Sequence, residues 1–182
     1  ESNFILDDFI SKVLLNWSSL KDLDLNSALN KINDKDTRFN NLKNIQNVFL
    51  HCFYESKKTK FLFQNLVKNK KIDFSRYSYF YAKYLSDSGQ VNTAKEILDN
   101  SIKLHPRNLL LNQYMIDLNN NTHENNFNCQ NPADVVAEIL YIAANALSSQ
   151  NLYKYSNFYL NLSKYLNSNF ESNKTLLAEN FY

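Results

Sequence analysis

Residues 75–108 read SRYSYFYAKYLSDSGQVNTAKEILDNSIKLHPRN. The spacing predicts a helix, a tight turn and a second helix within 34 residues. Ala82 and Ala94 are small residues at positions that let two paired helices approach closely. Gly89 supplies the positive φ that a helix needs just beyond its C-terminus, and Pro106 stops the second helix because it cannot continue the hydrogen-bond ladder.

The same spacing returns downstream. Starting at Ala137, small residues fall at Ala143, Ala144, Ser156 and Ser163, with Leu160 between the last two. Asn151 takes the place of the turn glycine, and Asn tolerates the left-handed conformation better than other side chains. A further helix is expected from Glu171 to Tyr182, 34 residues after Ala137, with Ala178 at its small position. Between the two copies, Leu109–Asn119 reads as a helix without a partner. An Asn-rich stretch, NNNTHENNFNCQN, follows it and reads as a loop. That loop closes at Asn131-Pro132, an N-cap followed by Pro at the first helical position, which launches a helix to about Ser149. Upstream, helices are expected over Phe4–Leu20, Leu25–Ile32, Phe39–Tyr54 and Lys58–Val67, with Trp17 in the first and Ala28 at a small crossing position. The fold class expected is all-α, with about ten helices.

The stretch 75–108 resembles the tetratricopeptide repeat family. With Ser75 as its first position, Ala82, Gly89, Ala94, Ser101 and Pro106 match diagnostic positions, while Ser78 stands where the family carries a large aromatic. The resemblance extends over Ala137–Tyr182 and is only architectural before Ser75. It implies an α-α superhelix: a degenerate helical region over 1–72, repeats over 73–182 and one continuous array with an irregular loop at about 119–131. The later part is similar to bacterial cell-envelope tetratricopeptide proteins, in which an Ala-rich helix like AEILYIAANAL precedes one like YSNFYLNLSKYLN. That likeness implies an exported, periplasmic or cell-envelope protein; otherwise the cytoplasm is expected.

Composition agrees with helices and excludes other classes. One Gly and two Pro in 182 residues disfavour all-β and Rossmann folds and leave no glycine-rich phosphate loop. The net charge of +2 gives no field suited to nucleic acid, and no run of 18 apolar residues predicts membrane insertion. Asn is the outlying residue, with 30 copies, a bias that AT-rich codons produce. The four Asn-x-Ser/Thr triplets at Asn16, Asn120, Asn161 and Asn173 are what such a composition yields by chance. The chain opens with Glu1 rather than Met and is expected to be part of a longer one.

Candidates for chemistry are few. Cys52 and Cys129 lie far apart in no Cys-x-x-Cys pair, so a disulfide framework and a zinc ribbon are excluded. His51 and Cys52 are adjacent, which points their side chains about 100° apart on a helix, unsuited to a nucleophile and its base. His105 fits a helix C-terminus. His123, Glu124 and Cys129 match no zinc spacing. Asp7-Asp8 form no recognisable carboxylate pair, and Lys68, Lys70 and Lys71, near Phe61, Phe63 and Phe74, read as a solvated turn. No catalytic residue, cofactor or metal is expected.

What remains is binding. In the tetratricopeptide family, positions 2, 5, 9, 12 and 13 of the first helix face a bound peptide. Carried over, the rule points to Arg76, Tyr79, Lys83, Ser86 and Asp87, and to Glu138, Tyr141, Asn145, Ser148 and Ser149; the lone helix adds Gln113 and Asp117. Amides and charges suit an extended peptide backbone, and Tyr offers contact area at low entropic cost. The family's carboxylate clamp needs Lys and Asn at set positions, of which only Asn145 is met. The expected function is therefore a non-catalytic module that holds a protein or peptide in the concave groove of a solenoid. Competing readings are a structural scaffold that self-associates through its terminal helices and an accessory region of a larger enzyme.

Overall fold

The computed structural model describes residues 2–32, 39–68, 75–122 and 126–181, with residues 2–4 described in backbone only. Among the described residues the protein is all-helical and contains no strand. Its helices are α1 (Ser2–Ser18), α2 (Leu25–Ile32), α3 (Asn40–Phe53), α4 (Thr59–Lys68), α5 (Ser75–Asp87), α6 (Val91–Leu104), α7 (Leu109–Asn120), α8 (Pro132–Ser148), α9 (Tyr153–Leu166) and α10 (Glu171–Glu179), with a short 3-10 turn at Leu20–Asp22.

The chain divides into two compact units, one of residues 1–56 and 126–182, the other of residues 57–125. These limits differ from the sequence boundary at 72/73. The reason is topological: the chain leaves the first unit after α3 and re-enters it before α8, so composition along the chain does not mark the division.

In the second unit, α5 and α6 form a hairpin and α7 packs beside both. Ala82 on α5 and Ala94 on α6 are fully buried, and small residues of this kind let paired helices approach closely. Ser78, which stands in place of a large aromatic, is buried and accepts a hydrogen bond from Ser101 Oγ at 2.6 Å. From α4, Phe63 stacks on Tyr81 at 5.6 Å and on Tyr84 at 5.5 Å.

In the first unit, α8 and α9 form the corresponding hairpin. The side chain of Asn131 accepts from the Ala133 N–H at 3.2 Å and Pro132 opens α8. Ala144 and Ser156 are fully buried, as Ala82 and Ala94 are. Ser163 Oγ donates to the Ala137 carbonyl at 2.6 Å and accepts from Asn173 Nδ2 at 2.7 Å, which ties α10 onto the pair. The remaining core gathers Trp17 against Phe53, with ring centroids 6.2 Å apart, and Phe49 against Phe127 at 5.3 Å. The Tyr54 hydroxyl donates to the carbonyls of Leu20 at 3.0 Å and Leu23 at 2.8 Å.

A question that the sequence leaves open is answered here. Cys52 and Cys129 form a disulfide, their Cα atoms 5.9 Å apart and 77 residues apart in sequence. Distance along the chain argues against a local motif but not against a bond, because α3 packs on α8 within the same unit and brings the two cysteines together. The bond sits where the chain leaves the first unit and where it returns. Glu55 and Gln130 are hydrogen-bonded beside it.

Candidate functional site

The turn closing each hairpin is built the same way. Gly89 has φ +77° and Asn151 has φ +61°. The Gln90 N–H bonds to Leu85 O at 2.8 Å and the Leu152 N–H to Leu147 O at 3.0 Å. α6 and α9 each span 14 residues. The two hairpins therefore superpose in register at a shift of 62 residues, which pairs Gly89 with Asn151, Leu98 with Leu160 and Ser101 with Ser163. Glu55 takes φ +50°, 34 residues before Gly89, and its neighbour Ser56 bonds back to His51 O at 2.9 Å. A non-glycine turn of this kind is not readable from letters alone.

In the second unit the residues expected to face a peptide gather along α5 and α7. Tyr79 is only 6% exposed, set edge-on against Tyr114 with centroids 4.9 Å apart and against Phe80 at 5.1 Å. Lys83 is 8% exposed and pairs with Asp87 at 3.2 Å. Arg76 lies 5.6 Å from the centre of the Phe80 ring. Gln113 is exposed and donates to Asp117 at 2.8 Å. Burial pushes the Tyr114 hydroxyl up to about 12, the Ser86 side-chain hydrogen bond pulls the other way, and the carboxylates of Asp87 and Asp117 add to the rise. This seam offers acids, amides and one shielded ammonium, a set able to hydrogen-bond peptide groups.

In the first unit Tyr141 is half-buried and its ring lies 5.0 Å from that of Phe170. Ser148 donates to Asn180 Oδ1 at 2.5 Å, and Glu138 is buried. Asn145 is exposed. Tyr79 and Tyr141, equivalent in register, thus both pack against an aromatic that follows the hairpin, edge-on in the first case and tilted in the second. Asp87, Gln113, Asn145 and Ser149 are exposed, Arg76 is half-exposed, and Tyr79, Lys83 and Glu138 are buried.

An open cleft of about 660 Å³ also lies in the first unit, lined by Ile5, Leu6, Phe39, Leu42, Ile142 and Leu152 among others, with Asn41 and Gln150 as its amides. Tyr159 donates to Asp7 from α9; burial and the neighbouring carboxylate raise its hydroxyl above the ordinary tyrosine range. Among the described residues no group of three or more His, Cys, Asp and Glu side chains is placed to hold a metal ion. His123, Glu124, Lys70, Lys71 and Phe74 lie outside the described residues. No described helix is long and apolar enough to cross a membrane.

Sequence reasoning missed the outer face of α9. Tyr155, Phe158 and Tyr165 are exposed there, Tyr165 to 87%, and Leu162 lies between them half-buried. The signal was present in the spacing of these four residues, which recur every three or four positions opposite the buried Ser156, Leu160 and Ser163.

No family model, curated protein or solved structure matches the chain.

Proposed function

We propose that the chain is a non-catalytic protein-interaction module of tetratricopeptide-like repeats that holds a peptide or a protein surface. The observation that carries this reading is the pair of hairpins built alike in two compact units, with the same left-handed turn, buried small residues at equivalent positions and second helices of the same length. Repeated helix pairs of this kind bury one face against their neighbours and leave another available to a partner. Arg76 and Gln113 in the second unit, and Asn145 in the first, supply hydrogen-bonding groups on the faces left available in each. Tyr79, Lys83 and Tyr141 act through packing, setting the height at which successive helices meet. The Cys52–Cys129 disulfide supports an exported protein, because such bonds persist in oxidising compartments.

The test is capture from native extract by the wild-type chain beside Arg76→Ala/Gln113→Ala/Asn145→Ala, scored by quantitative mass spectrometry after both proteins are shown to melt alike. Truncating Tyr79 or Lys83 instead would report on folding, since both are buried. A partner depleted about tenfold by the triple variant is the expected result, a ratio that corresponds to about 1.4 kcal/mol. Equal capture by both proteins contradicts the assignment of these residues.

A further inference from the structure

α6 and α9 are the same element of two matched hairpins, yet their outer faces carry different chemistry. At the positions where α9 has Tyr155, Phe158, Leu162 and Tyr165, α6 has Thr93, Glu96, Asn100 and Lys103. The fold of the hairpin therefore does not require aromatics there. Tyr155 and Phe158 are 46% and 59% exposed, and an exposed row of this size marks a contact surface rather than a core. The residues recur at intervals of three, four and three, so they form one ridge about 15 Å long, the spacing that packs into the groove of another α-helix.

Charge selects the partner. α9 contains Lys154 and Lys164 and no Asp or Glu. Both lysines are exposed, and neither makes an ion pair or hydrogen bond among the described residues. Asp7, a carboxylate in contact with α9, is occupied by the Tyr159 hydroxyl. A second copy docked through the same face would bring two lysines from each chain together with no acid to offset them. Single-stranded nucleic acid would need a basic groove, and the chain as a whole carries a net charge of only +2.

We propose that the outer face of α9 docks an acidic amphipathic helix of another polypeptide, which lays its apolar stripe along Tyr155, Phe158, Leu162 and Tyr165 and its carboxylates beside Lys154 and Lys164. The inference rests on the binding-module reading and names a surface and a partner chemistry for it. An aromatic ridge supplies most of the affinity, and the lysines supply orientation and selectivity against basic helices.

The probe is a synthetic three-heptad peptide with Leu at its apolar positions and Glu flanking them, compared by fluorescence anisotropy with the same peptide carrying Lys for Glu. The acidic peptide is expected to bind the wild-type chain, and Phe158→Ser/Tyr165→Ser to bind it about thirtyfold more weakly while melting like wild type. Lys154→Glu/Lys164→Glu is expected to reverse the preference toward the basic peptide. The proposal is overturned if neither peptide binds, if both bind alike, or if the serine variant retains full affinity. It is equally overturned if an oligothymidylate competes with the acidic peptide, or if the wild type is a dimer that Phe158→Ser/Tyr165→Ser dissolves. Should the peptides fail while the extract partner is still lost with the Arg76, Gln113 and Asn145 variant, the α9 assignment falls and the binding-module reading stands.

Discussion

The α5–α6 and α8–α9 hairpins share a turn, the length of their second helix and a register, and they part company at the seam and on the outer face. In the first, Ala82 and Ala94 are fully buried, and the polar contact of the seam is Ser101 on Ser78. In the second, Ser156 stands for Ala94 and its buried hydroxyl needs a partner, which Asn180 Nδ2 provides at 2.9 Å. Asn180 also donates to Asn157 and accepts from Ser148, so α10 is held to the hairpin by directional bonds as well as by packing. Outward, α6 presents Glu96, Asn100 and a Lys103–Asp99 pair, whereas α9 presents an aromatic ridge between two lysines that form no ion pair among the described residues. One backbone plan thus serves a seam that tolerates either chemistry and a surface that is free to differ. The difference lies where folding imposes the least.

The disulfide sets the largest difference, since it belongs only to the unit that holds α8 and α9. Cys52→Ser/Cys129→Ser is expected to lower stability by about 4 kcal/mol, the chain-entropy effect of opening so long a loop. Urea denaturation with and without reductant checks this, and a wild type indifferent to reductant would break the distinction between the units. Next come Leu98 and Leu160, equivalent in register and both fully buried. Leu98→Ala and Leu160→Ala should each cost about 3 kcal/mol and agree within about 1 kcal/mol. A large disparity in denaturation midpoints would show that the two seams are not packed alike.

The turns give a smaller effect of opposite sign. A Cβ at Gly89 meets nothing within 4 Å, so Gly89→Ala pays only for the left-handed backbone, about 1 kcal/mol. Asn151→Gly should add stability, by roughly 0.5 kcal/mol. Paired thermal melts read both. The stacking partners offer a pH handle, because Tyr114 covers Tyr79 while Phe170, which cannot ionise, covers Tyr141. The Tyr114 pKa is raised in the folded state, to about 12 from 10.0. The folded chain therefore retains a proton that the unfolded chain has already lost. The stability this contributes is fully present below pH 10 and is lost as pH rises through 12. Tyr114→Phe is expected to flatten that part of the stability profile; an unchanged alkaline slope would assign it to other tyrosines.

Much of this plan was legible in the letters. Gly89, Ala82 and Ala94 announce one hairpin, and Asn151 with Ala144 and Ser156 announces the other, because a left-handed turn and a close crossing each admit few residue types. The disulfide was not legible, since pairing Cys52 with Cys129 requires knowing that α3 packs on α8. Nor was the burial of Tyr79, Lys83 and Glu138. A residue's position in a repeat says which way it points, but whether it meets solvent depends on what the next element places there. Here that is Tyr114 above Tyr79 and Phe170 above Tyr141. The ridge on α9 escaped notice for a related reason: in a chain with 12 Tyr and 13 Phe, outward aromatics and core aromatics have the same spacing until the buried face is known.

The most direct measurement transplants the outer face of α6 onto α9. Tyr155→Thr/Phe158→Glu/Tyr165→Lys replaces three exposed residues by their equivalents in the matched hairpin. A melting temperature within about 3 °C of wild type, as expected for surface changes near 0.5 kcal/mol, together with loss of the acidic-helix peptide, is the predicted result. A fall of about 10 °C or more would contradict it, by showing that the aromatic ridge holds the hairpin together instead of serving a partner.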